Sequence, residues 1–168
     1  MNYKAYMLHN YKTLPQIANL PEDLIEAIDV VGSVLPFKTN NYVVENLIDW
    51  SSVPNDPIFT LTFPRKEMLR SHHYEKIKNV VKSGASKSEI KIVADEIRRE
   101  LNPHPAGQLD HNVPQMDGEK VFGMQHKYRE TVLFFPGQGQ TCHAYCTFCF
   151  RWPQFVGMDE LKFASKQA

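Results

Sequence analysis

Thr131-Val-Leu-Phe-Phe135-Pro-Gly-Gln-Gly-Gln-Thr-Cys142-His-Ala-Tyr-Cys146-Thr-Phe-Cys149 is the stretch on which the reading of this chain turns. Its first five residues are β-branched, aliphatic or aromatic and carry no charge, which predicts a strand buried on both faces. Pro136, Gly137 and Gly139 break that strand. The cysteines therefore fall on a loop just beyond its C-terminal end, where parallel α/β architectures place their chemistry. All three cysteines of the chain lie in this one eight-residue cluster. A disulfide framework would scatter them, so an odd, tight set points to metal or redox chemistry.

Three thiolates on one loop can converge on a single soft metal centre. A structural zinc site wants four closed ligands, and a ferredoxin-type four-iron cluster uses four cysteines. Held by three, a four-iron cluster keeps one iron without a protein ligand, and an open coordination position suggests catalysis. Two other readings stay open on the residues alone. One is a cluster of buried apolar thiols. The other is a zinc site with His143 as fourth ligand, although adjacent Cys142 and His143 would strain a tetrahedral geometry.

Upstream, the chain reads as mainly helical. Leu24, Ala27, Ile28 and Val31 recur at helical spacing after Pro21, with Glu22 and Asp23 at the dipole-favoured start, and this helix should end between Gly32 and Pro36. Residues 35–63 carry Pro36, Pro54 and Pro57, which disfavours long elements; residues 42–50 suggest a brief helix and residues 58–63 an extended segment. A second helix follows Pro64 and is capped by Gly84. A third opens on the capping box Ser86 and Glu89 and buries Ile90, Val93, Ala94, Ile97 and Leu101, with Asp95, Glu96, Arg98, Arg99 and Glu100 forming a solvated face. Residues 102–120, rich in proline and glycine, read as a loop, and 123–130 as a polar stretch. Scattered His72, His73, His104 and His111 are expected at the surface. The division that results is a helical N-terminal extension over residues 1–120, followed by a strand and cysteine loop over 121–168.

Composition limits the rest. With 168 residues and 19 basic against 19 acidic side chains, the chain has no net charge with which to attract nucleic acid. No apolar run approaches the roughly 20 residues that cross a bilayer, and residues 1–11 lack an export pattern, so a cytoplasmic protein is expected.

The CxxxCxxC loop resembles the signature of the radical S-adenosylmethionine enzymes. Leu35-Pro36-Phe37, Leu47-Ile48-Asp49-Trp50, Asp56-Pro57-Ile58-Phe59 and His126-Lys127-Tyr128-Arg129-Glu130 are similar to the N-terminal region of the lysine 2,3-aminomutase-like branch. The resemblance implies an α/β fold in which the helical region leads into the first strand and cluster loop of a partial β/α (TIM-like) barrel. It implies that Cys142, Cys146 and Cys149 ligate a [4Fe-4S] cluster whose free iron takes the amino and carboxylate groups of S-adenosylmethionine. Cleavage of the sulfonium would then give a 5′-deoxyadenosyl radical that abstracts hydrogen from a small-molecule substrate such as an amino acid, with amino-group migration as the aminomutase outcome. Phe148 matches the aromatic that packs beside the adenine. His143 and Arg151, polar residues near the cluster, are expected at the surface, with tuning of the cluster as the other reading. An electron donor such as a flavodoxin or ferredoxin is implied as partner.

Residues 150–155, Phe-Arg-Trp-Pro-Gln-Phe, replace the branch's arginine-rich run, which leaves pyridoxal phosphate and a lysine substrate undecided. Because so few residues follow the cysteines, the resemblance also predicts a truncated N-terminal fragment, inactive alone. Association through the helical segment is left open, and a noncatalytic module with structural zinc or an electron-transfer cluster is the alternative function.

Overall fold

The computed structural model describes residues 2–101, 111–135 and 144–146. In chain order its elements are β1 (Ala5–Met7), α1 (Glu22–Val34), β2 (Lys38–Asn40), α2 (Asn41–Asn46), α3 (Pro57–Thr62), α4 (Ser71–Lys82), α5 (Lys87–Leu101), β3 (Gln115–Met116), β4 (Glu119–Lys120), β5 (Met124–Tyr128) and β6 (Thr131–Phe134). A helical N-terminal half is thus followed by small sheets. Among the described residues each sheet is a two-stranded antiparallel pair, β1 with β2, β3 with β4 and β5 with β6. No barrel is among them. None of the described helices is long and apolar enough to cross a membrane.

Helix α1 is the central element because it is apolar on two sides. Ala27, Val30, Val31 and Val34 face a core shared with Tyr74 and Ile77 of α4 and Ala94 and Ile97 of α5. Ile28 faces the other way, into a core with Tyr11, Phe37, Val44, Phe59 and Phe63. The helix stops at Val34 because Pro36 forces Leu35 out of helical geometry, and Leu35 is extended at ψ 126°. Helices α4 and α5 each bury one stripe, and between them Gly84 takes the left-handed φ of +72° that a side chain would resist. The capping box forms as expected: the Ser86 amide donates to Glu89 Oε2 at 2.8 Å, and the Glu89 amide donates to Ser86 Oγ at 3.3 Å.

Arg98 departs from the expected solvated face. It is buried, and its Nε donates to the Val34 carbonyl at 2.7 Å, so α5 closes the end of α1. The periodicity of α5 alone puts Arg98 outside the apolar stripe, but the guanidinium finds acceptors on a neighbouring helix end, which lets it enter the interior.

Residues 58–63 also differ from expectation. They form most of α3 rather than an extended segment, because Asp56 caps the helix by accepting from the Phe59 amide at 2.7 Å and Pro57 occupies the first helical position. Phe59 and Phe63 then stack with centroids 4.6 Å apart at 9°, and Phe37 lies 5.1 Å from Phe63. The brief helix expected within residues 42–50 is α2, capped by Asn40. The N-terminal residues contribute β1, which pairs Tyr6 with Thr39. Inside the expected loop 102–120, Asp117 and Gly118 adopt φ of 54° and 84° and turn β3 into β4, the positive-φ pair that an Asp-Gly hairpin turn requires.

The strand read at 131–135 is present as β6, but not as a strand covered on both faces. It pairs antiparallel with β5, Met124 opposite Phe134 and Tyr128 opposite Thr131. Val132 and Phe134 are half exposed, and of the apolar run only Phe135 is buried. The reason lies in the polar stretch before it: only Arg129 and Glu130 separate the two strands, so β6 finds its partner locally in a hairpin.

Candidate metal centre

Of the cysteine trio, Cys146 lies within the described residues and carries a free, exposed thiol. Cys142, Cys149 and Phe148 lie outside them, as do His143, Arg151 and His104. Exposure of Cys146 bears on one reading directly, since a thiol open to solvent is not part of a buried apolar cluster.

The peptide carrying Cys146 is tied to the helical half by its neighbour. Tyr145 donates its backbone N–H to the Leu61 carbonyl at 2.8 Å and its hydroxyl to the Pro36 carbonyl at 2.8 Å. Leu61 sits in the last turn of α3, where its carbonyl has no intrahelical donor, and Pro36 lies just past the C-cap of α1. The Tyr145 ring packs against the core formed by α1, α4 and α5. Burial holds its phenol well above the ordinary tyrosine range, so it stays a neutral donor. Nothing in the local sequence distinguishes Tyr145 from any loop aromatic; both partners are remote along the chain.

A second group of ligand-type side chains stands on α4 and α5. His73 Nε2 lies 2.7 Å from Glu100 Oε2, and His72 Nε2 lies 3.9 Å from the same oxygen. His72 is exposed as expected, and so is His111, but His73 is only 1% exposed. Position explains it: His73 is one turn before buried Ile77 on the inner face of α4. Because the three ligand atoms lie within 4.8 Å of one another, a cation could bridge them. The buried ring argues against that use. His73 Nδ1 has no partner among the described residues. A metal on Nε2 would put the ring proton on Nδ1, where metal-bound imidazoles ordinarily donate to a carboxylate, carbonyl or water, and no such acceptor is among the described residues. With the proton on Nε2 the imidazole donates to Glu100 instead. That bond, foremost, holds the Glu100 carboxyl below its usual range, aided by nearby Lys76 and His72. The group is a clamp between α4 and α5.

The thiol stretch, with its middle member exposed beside an anchored tyrosine, is thus the stronger candidate for metal chemistry. Comparison with known proteins adds nothing to it: no family model, no curated protein and no solved structure matches this chain.

Proposed function

We propose that this chain carries the cluster-binding region of a radical S-adenosylmethionine enzyme of the lysine 2,3-aminomutase-like branch, within a partial β/α barrel. The observation that carries the reading is the set of three thiols at CxxxCxxC spacing, Cys142, Cys146 and Cys149, and no fourth cysteine in the chain. The donor set fits a [4Fe-4S] cluster, since thiolates are the ligands such clusters use and the described thiol, Cys146, is exposed and not engaged in a disulfide. When bound, the cluster would pass one electron from a flavodoxin- or ferredoxin-type donor to the sulfonium of S-adenosylmethionine, releasing methionine and the adenosyl radical that takes hydrogen from substrate.

The work of the chain's own residues is to bind and orient. Cys142, Cys146 and Cys149 would hold the cluster as thiolates, three ligands rather than four leaving a coordination position for the cosubstrate. By the same resemblance, Phe148 would pack beside the adenine. Tyr145 holds the loop against the helical half. The substrate class is a small molecule, with an amino acid as the branch's type, and pyridoxal phosphate is no part of the proposal.

Anaerobic reconstitution with iron and sulfide tests the reading. It expects about four irons and four sulfides per chain, and a reduced cluster whose EPR spectrum changes on adding S-adenosylmethionine. A second reading, a noncatalytic metal module, draws on the antiparallel hairpin β5–β6 that precedes the loop, since a hairpin needs no further strands to present a small metal site. One tightly held zinc and no inorganic sulfide would select it and end the enzyme proposal.

A further inference from the structure

We infer that Tyr145 is a positioning residue for Cys146: it registers the peptide that carries this thiol against the carbonyls of Pro36 and Leu61, and so sets where the thiol meets a cluster. The inference rests on the cluster reading above. It concerns a residue inside the three-residue spacer between Cys142 and Cys146 that holds no ligand atom of its own.

The geometry is specific. Two donors of one residue, the amide and the phenol, engage two carbonyls from segments distant along the chain, each at 2.8 Å. Those carbonyls are not free to drift. Pro36 stands between buried Leu35 and Phe37, and Leu61 stands between buried Phe59 and Phe63. Phe37, Phe59 and Phe63 pack on one another, so the aromatic core fixes the two acceptors relative to each other. A residue bound to both has its backbone position determined, and Cys146 is one peptide bond away.

The phenol is also the right group for that place. A tyrosine ring entering a core needs an acceptor for its hydroxyl, and the Pro36 carbonyl needs a donor once covered. A phenylalanine would fill the same space and leave that carbonyl unpaired. A thiol held in place before a cluster arrives needs no reordering to bind it, and residues beyond the ligands commonly change metal affinity by about 10–100-fold. The hydrogen bonding and exposure that the loop's position dictates also bear on a cluster's potential.

The test uses the whole chain, reconstituted anaerobically as wild type, Tyr145→Phe and Tyr145→Leu, with Cys146→Ala as the ligand-loss comparator. Tyr145→Phe keeps the ring, and should keep the helical circular dichroism of wild type, with a thermal midpoint lowered only by what one unpaired carbonyl costs. Its cluster should nonetheless lose iron to a chelator about tenfold faster, with a shifted midpoint potential, and Tyr145→Leu should lose it faster still. If Tyr145→Phe matches wild type in chelation rate, potential and EPR spectrum, the positioning role is overturned while the cluster reading stands. If Tyr145→Phe loses helical signal, the hydroxyl serves the fold of the helical half and the positioning role is likewise overturned. A wild-type chain that takes up no iron and sulfide overturns the cluster reading itself, and this inference with it.

Discussion

Arg98 on α5 donates its Nε to the carbonyl of Val34 at 2.7 Å, joining the last turn of α1 to a helix more than sixty residues later. Its second nitrogen reaches the Ser33 carbonyl at 3.3 Å, and its third pairs with Asp95 at 2.7 Å. The cation thus sits at the negative end of α1, where four carbonyls have no partner within the helix. Burial works against charge on Asp95, but bonds from Lys91 and Arg98 outweigh it and hold the carboxyl below its usual range. Arg98→Ala leaves the Val34 carbonyl unpaired and Asp95 with Lys91 alone, and should cost about 2–4 kcal/mol in urea unfolding. Arg98→Lys should recover less than half, because an ammonium cannot span three acceptors as a planar fork does. Full recovery by lysine would show that charge alone holds the junction.

Glu26 makes the α1–α4 junction sensitive to acid. Its carboxylate pairs with Lys78 at 2.5 Å and also with Lys82. Hydrogen bonds from Lys78 and then Lys82 pull its pKa from 4.5 down to about 2. The folded value lies below the unfolded one, so the contribution is fully present above about pH 4.5 and disappears as pH falls toward 2. Both lysines reach solvent, and screening reduces the effect to about 1 kcal/mol. The stability difference between wild type and Glu26→Gln should therefore be about 1 kcal/mol at pH 7, shrink with added salt, and vanish near pH 2. A difference that stayed constant from pH 7 to pH 2 would mean that packing, not charge, is what Glu26 supplies.

What was legible in the sequence and what was not divides by the range of the interaction. Ser86 and Glu89 announce the start of α5 because cap donor and acceptor lie within one turn. The Asp117-Gly118 turn and the Asp56-Pro57 helix start carry equally local signals, which the surrounding prolines and glycines mask. His73, Arg98 and Tyr145 are different. A polar side chain enters a core only if a partner waits there, and Glu100, Val34 and Pro36 are placed by tertiary packing that no spacing encodes. The same limit explains β6: its apolar composition marks a strand, but not which strand it joins or how much of it is covered. For the thiol trio, spacing names the donors, and only the fold supplies the anchor beside them.

Asp56 tests the local signal that made α3 a helix. It is buried, accepts from the Phe59 amide at 2.7 Å through one oxygen and from the Asp49 amide at 3.2 Å through the other. Asp56→Ala removes the cap and orphans two amides, a loss of about 2–3 kcal/mol. Asp56→Asn should lose about half as much, since its single carbonyl oxygen can serve Phe59 while its NH2 faces the Asp49 N–H. Because α3 carries the Leu61 carbonyl that holds Tyr145, Asp56→Ala should also weaken protection of the Tyr145 amide against hydrogen exchange. Unchanged exchange at Tyr145 would show that the loop docks independently of the α3 cap.

The two ligand-type groups should part cleanly when each is cut. Cys146 offers an exposed thiol, so Cys146→Ala should abolish iron and sulfide uptake while leaving urea unfolding within about 0.5 kcal/mol of wild type. His73 is the reverse case: buried, bonded to Glu100 and set between two helices. His73→Ala opens a cavity and removes the donor to Glu100, and should cost about 2 kcal/mol or more. Iron and sulfide content should not change, and a zinc titration should show the same stoichiometry as wild type, because the clamp binds no metal. Loss of a zinc equivalent in His73→Ala, with the cysteines intact, would mean that the imidazoles and Glu100 do take a cation, and that the proton assigned to His73 Nε2 gives way to it.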